Sequence, residues 1–178
     1  FSLQPDWAPQ KPTFHYGLDL TRYNRVEGFS TGLDVRQQLG KGYSVRAVPR
    51  VSFADAQLNG ELFGTRGNGR RQLDLGIYRR LEASNDYGDP LSFGSSLNAL
   101  LFGLDEGFYY RTWGAELAGS NVGGGGFTWR LFGEHQWNAN VETQWSLANA
   151  MNDVQFMPNI EAKEGTIGGA EARYAHTF

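Results

Sequence analysis

Apolar and polar side chains alternate along most of this chain. Between residues 43 and 53 one set of alternate positions holds Tyr43, Val45, Ala47, Pro49, Val51 and Phe53, and the other holds Ser44, Arg46, Val48, Arg50 and Ser52. A period of two puts the two sets on opposite faces of a β-strand. The same rhythm predicts strands over residues 14–21, 29–36, 58–66, 72–83, 108–119, 127–137, 141–149 and 166–178. Tight turns are predicted between them at "LGKG" (39–42), "ADAQ" (54–57), "GNG" (67–69), the glycine run 123–126 and "NAN" (138–140).

The rhythm stops between Ser84 and Gly107. "SNDYGDP" is turn chemistry, and "SSLNALLFG" reads as a short helix with serine at its start and Gly103 as its stop, a strand being the alternative. Residues 150–165 read as a loop. The first dozen residues hold three of the six prolines and read as an irregular arm, so the chain divides into an arm, 1–12, and a β-domain, 13–178. The sum is eight to ten strands joined mostly by short turns, an all-β, antiparallel, up-and-down arrangement without a solenoid or propeller repeat.

Composition narrows the function. A chain of 178 residues is one domain, and 20% charged residues with a net charge of -3 give no basic field for nucleic acid. The absence of cysteine excludes disulfides and thiolate metal sites. Twenty-four glycines and 14% aromatic residues fit many strands and tight turns. No run of 18 apolar residues occurs, so no helix spans a bilayer, but the mean hydropathy of -0.48 is uninformative for a membrane barrel, whose strands alternate. The chain opens at Phe1 and reads as processed or as a piece of a longer polypeptide.

Periodicity cannot say which face points inward. Three features favour a transmembrane β-barrel: strand lengths near the 9 to 11 residues of a tilted membrane strand, opposite charges at mid-strand on the polar faces, and aromatic residues near strand ends. On this reading Phe14, Leu33, Val45, Val51, Leu75, Trp129 and Leu131 face lipid, while Arg25, Glu27, Asp34, Arg36, Arg46 and Arg50 form a charge cluster in the lumen. Arg25 and Glu27, two apart, are expected on one face of a strand. Pro49 lacks a donor and is expected to need a bulge. The alternative is a soluble or periplasmic barrel that carries an apolar ligand in its core.

Two stretches, "RYNRVEGFSTGLDV" (22–35) and the segment 78–117 with "SLNALLFGLDEGFYYR", resemble the BamA-like outer-membrane barrel superfamily, in particular bacterial barrels that often follow a carboxypeptidase-regulatory-like domain. The resemblance implies a bacterial outer-membrane location, a barrel of sixteen strands, a role in assembly or translocation of other proteins, and as partners the lipid bilayer and other outer-membrane or periplasmic proteins. Eight to ten strands are about half of such a barrel, which implies a fragment; a complete small barrel is the alternative.

Candidate chemistry is sparse. His15, His135 and His176 lack metal-ligand spacing, the serines of "FGSSLNA" lack a nucleophile elbow, and "LDEG" (104–107) offers too few oxygens for calcium. Trp113, Trp129, Trp137 and Trp145 read as interfacial anchors or, alternatively, as the lining of an apolar cavity. No catalytic residue, cofactor or metal is expected.

Overall fold

The computed structural model describes residues 8–85, 88–121 and 126–175. Most of the N-terminal arm, Asp86 and Tyr87 of the predicted turn, Gly123 to Gly125, His176 and Phe178 lie outside the described residues. The chain forms one antiparallel sheet of ten strands: β1 (Thr13–His15), β2 (Thr21–Asn24), β3 (Gly28–Gly32), β4 (Asp34–Gly40), β5 (Tyr43–Ser52), β6 (Leu58–Gly67), β7 (Arg71–Ala83), β8 (Tyr109–Asn121), β9 (Gly126–Asn138) and β10 (Gly165–Ala175). Two helices, α1 (Phe93–Phe102) and α2 (Leu147–Asn152), lie in connections.

β1 and β2 are two pieces of one interrupted strand, because β1 pairs with β4 and β2 with β3, while β3 and β4 both pair with β5. The interruption is a 3-10 turn, Leu18–Leu20, so the continuous strand expected over 14–21 is broken. Counted as runs of chain, the sheet is an eight-run meander in which each run bonds to the one before it. It stays open: among the described residues β10 pairs only with β9.

Pro49 sits in an unbroken register with β6, without the expected bulge. A strand residue aims its N–H and C=O toward the same neighbour. The Pro49 carbonyl accepts from Leu33 N at 3.0 Å, so the missing donor faces Leu33, the residue at which β3 gives way to β4. The register runs on across it, with Gly32 opposite Arg50 and Val35 opposite Ala47, so the proline costs one ladder hydrogen bond and no bulge.

The predicted turn at "LGKG" is a two-residue hairpin with Lys41 and Gly42 at φ 55° and 78°, the pairing of positive φ values that matches strand twist. A side chain at Gly42 would strike the Gly67 carbonyl. The helix alternative for "SSLNALLFG" is the one realised: Ser92 Oγ caps Ser95 N, and Gly103, left-handed at φ 68°, returns its N–H to Ala99 O at 3.1 Å. The strand expected over 141–149 does not form. Ser146 caps Asn149 N at 2.9 Å and starts α2 instead, so the alternation of Val141, Thr143, Trp145 and Leu147 was a coincidence of period over too short a window.

Among the described residues, the turn after β2, the turn after β5, the α1 connection and the α2 connection gather at one end of the sheet, and the short turns after β4 and β6 lie at the other. The two small apolar cores are at the loop end: Val26 with Leu81, Tyr109 and Ala139, and Tyr23 with Ala99 and Phe156.

Candidate functional site

The register sorts the strand residues into two faces. On one, Arg46 lies beside Phe63, Glu61 beside Tyr78, and Glu116 beside Phe132. Charges here are paired along and across strands: Arg80 bonds Glu82 of its own strand, at 2.5 Å, and Glu61 of the neighbouring one, at 3.3 Å; Arg130 reaches Glu116 at 2.6 Å; Tyr78 donates to Glu134 at 2.7 Å. Asp34 takes both Arg36, at 2.8 Å, and Arg46, at 3.0 Å. These three members of the expected lumen cluster are thus brought together.

The other face is apolar and bare. Val45, Leu75, Leu117 and Leu131 occupy one cross-strand row, and Phe14, Val35, Ala47, Leu62, Ile77 and Ala115 occupy the next. Phe14 is 62% exposed, Leu75 59% and Leu131 49%; Val51 is exposed as well, and Leu33, Val45 and Trp129 are half-buried. Cations and aromatic rings flank the band. Arg66 lies over Tyr43 near the short-turn end, and Arg79 lies over Trp137, itself stacked on His135, near the loop end. Trp129 covers Gly119 across the ladder, where a glycine leaves room for the ring, and Phe63 does the same over Gly76 on the polar face. The four tryptophans do not share a cavity: Trp113 and Trp145 are exposed, and Trp145 meets Tyr23 edge-on.

Arg25 and Glu27 do not lie on a strand face. They are in the turn between β2 and β3, whose shape is set by Asn24 Oδ1 accepting from Val26 N at 3.0 Å and Glu27 N at 2.8 Å, with Gly28 left-handed at φ 63°. Both are fully buried. A turn that carries two charges into the interior must surround each with partners. Arg25 donates to the carbonyls of Asp105 and Gly107, each at 2.6 Å, pairs with the Asp105 carboxylate at 3.1 Å, and stands over the Tyr109 ring. Asp105 also accepts from Tyr109 Oη at 2.6 Å and from Arg25 N at 2.9 Å, so the acid of "LDEG" is spent on Arg25.

Glu27 turns the other way. Arg22 holds it through two bonds, Nε at 2.7 Å and Nη2 at 3.0 Å, and Asn24, Ser30 and Asn59 donate to it. Burial alone would raise this carboxyl, but the Arg22 guanidinium and the amide donors outweigh it and hold it below the usual glutamate range. A second buried pair, Arg111 with Asp55, ties β8 to the turn after β5. Asn159 completes the knot by donating to the carbonyls of Tyr109 and Ala139, both at 2.7 Å. The loop end is therefore one cross-linked body, with the β2–β3 turn as its centre.

Sequence reasoning missed Asp105, Arg22, Asn59 and the Arg111–Asp55 pair. The only local signal was "NRVEG" itself, in which an Asx-turn asparagine and a glycine bracket two opposite charges. Arg50, the last member of the expected cluster, stands apart, donating to Leu20 O at 2.9 Å and Ser30 Oγ at 3.4 Å. His15 pairs with Asp19 and His135 with Thr166 and Glu164, and no group of three metal-ligating side chains occurs among the described residues.

Comparison with protein-family models, with curated proteins and with solved structures returns no match to this chain.

Proposed function

We propose that this sheet is wall of a transmembrane β-barrel in a bacterial outer membrane, working without catalysis. The observation that carries the reading is the bare apolar face, two rows deep and flanked by arginine-aromatic pairs, opposite a face of cross-strand ion pairs. A soluble barrel with a ligand in its core would bury Leu75 and Leu131, which are both exposed. Dimensions support it too. Phe127 and Trp137 stand ten residues apart on β9. At ~3.4 Å per residue and a tilt of ~40°, that separation projects to ~26 Å on the barrel axis, against an apolar band of about 25 Å in such barrels. Short turns at one end and long connections at the other fit the periplasmic and outer ends of an outer-membrane barrel.

The two edges of the sheet differ. The edge of β2 is covered in part: Tyr23 N donates to Ser96 Oγ at 3.0 Å, and in the turn that follows Arg25 N donates to Asp105 and Arg25 O accepts from Glu142 N and Thr143 N. β10, 11 residues long, pairs along one edge with β9 and with no second strand among the described residues. An edge of that length without proline is a template for β-augmentation. This supports a role for the wall in receiving further strands, its own or a client's, in keeping with the assembly and translocation barrels that the motifs resemble. The test is folding into liposomes: a membrane barrel becomes protease-resistant and migrates faster on a gel before boiling than after. A chain that stays protease-sensitive and soluble without lipid would overturn the proposal.

A further inference from the structure

At the loop end, the polar face of the sheet borders a cavity of about 510 Å³, lined among others by Arg22, Arg50, Asn59, Glu61, Arg80 and Glu82. Most of these charges are spent on one another: Arg22 on Glu27, and Arg80 on Glu61 and Glu82. Arg50 is the exception. It makes no ion pair among the described residues, and only its Nη1 is used, on Leu20 O and Ser30 Oγ. Nε and Nη2 keep their donors, two parallel N–H groups in the fork that suits a carboxylate or phosphate.

Beside it on the next strand, Asn59 is directly cross-strand from Arg50 and is 4% exposed. Its Nδ2 faces the Glu27 carboxylate, which can only accept, and this fixes Oδ1 as an acceptor with no protein partner. Arg50 is half-buried at the cavity wall with no carboxylate in ion-pair contact among the described residues, and beside it a buried acceptor without a donor is costly to leave unmet. One ligand meets both if it carries an anion and hydroxyls. The glutamates opposite retain lone pairs for further hydroxyl donors.

We propose that this cavity binds a hydroxylated organic anion of the size of a mono- or disaccharide, a phosphorylated or carboxylated sugar, with its anionic group on Arg50 and its hydroxyls on Asn59, Glu61 and Glu82. The volume falls within the range of small-molecule sites. The inference does not rest on the membrane reading, since the cavity is built by the sheet and its loops in either setting. The source of the sugar is a free metabolite or the headgroup of a glycolipid.

The test is calorimetric titration of the folded protein with glucose 6-phosphate, with glucose as the neutral control, and with a phosphorylated glycolipid in detergent micelles. Glucose 6-phosphate binding that weakens at least tenfold in Arg50→Gln, with glucose inert, supports a free ligand; the same dependence seen only with the glycolipid supports a headgroup. In case Arg50→Gln misfolds, phenylglyoxal labelling of the unaltered protein reads the same contact: Arg50 should be protected by whichever ligand binds. Equal binding by glucose, binding indifferent to Arg50, or Arg50 labelling unchanged by both phosphorylated ligands would overturn the assignment.

Discussion

Replacing Arg25 with methionine isolates the role of the β2–β3 turn. The side chain is 0% exposed and holds two carbonyls at 2.6 Å and one carboxylate at 3.1 Å. Methionine fills much of the volume, so the cost is electrostatic: Asp105 remains buried with only Tyr109 Oη and backbone donors, and the Asp105 and Gly107 carbonyls lose their partner. Removing one member of a buried pair costs about 3–5 kcal/mol, a large part of a total stability of about 5–15 kcal/mol. Unfolding by urea, followed by tryptophan fluorescence in detergent micelles, measures it. Arg25→Met combined with Asp105→Asn should recover about 1–3 kcal/mol relative to the sum of the two single losses, because the second change removes the stranded charge. A loss below about 1 kcal/mol for Arg25→Met, or strict additivity in the double variant, would refute the claim that this pair locks the loop end.

Other consequences are testable in the same protein. Gly76→Val puts a side chain into the Phe63 ring that covers it and should cost about 1–3 kcal/mol, with Phe63→Ala in the same chain relieving most of the loss; urea midpoints of the two singles and the double decide it. Because the Glu27 carboxyl is held below its ordinary value of about 4.5, its contribution is complete above that pH and is lost as the pH falls further. Glu27→Gln should flatten this acid dependence of stability below about pH 4.5, and an unchanged acid profile would contradict the assignment. Arg111→Met strands Asp55 and should loosen the turn after β5, read as faster amide exchange at residues 53–57 with β9 and β10 unaffected. Exchange unchanged at that turn would mean that the pair does not hold it.

Strands with long alternation were legible because each face obeys one solvent. β5 to β10 follow the period of two over nearly their whole length, and the hairpin before β5 carries a glycine, Gly42, at a position of positive φ. The failures share a cause. Residues 14–21 offered only four alternate apolar positions and residues 141–149 only three, too few to outweigh a local interruption at Gly17 or a serine cap at Ser146. The charge cluster was legible where partners share one face of the sheet on the same or the next strand, as for Asp34 and Arg36 on β4 and Arg46 on β5. It was not legible for Arg25 and Glu27, whose partners come from 80 residues away in the case of Asp105 and from across the turn in the case of Arg22. Spacing of two implied a shared strand face, but an Asx turn at Asn24 points the pair in different directions.

The central claim is that the apolar face meets lipid and the polar face meets water. Nitroxide labels at Leu75 and Asp74, neighbours on opposite faces of β7, test it in liposomes by their relaxation with oxygen and with a water-soluble nickel chelate. The account predicts a label at residue 75 that responds to oxygen and is hidden from nickel, and a label at residue 74 with the reverse preference. A label at residue 75 that is as open to nickel as its neighbour, or shielded from both reagents, would contradict it.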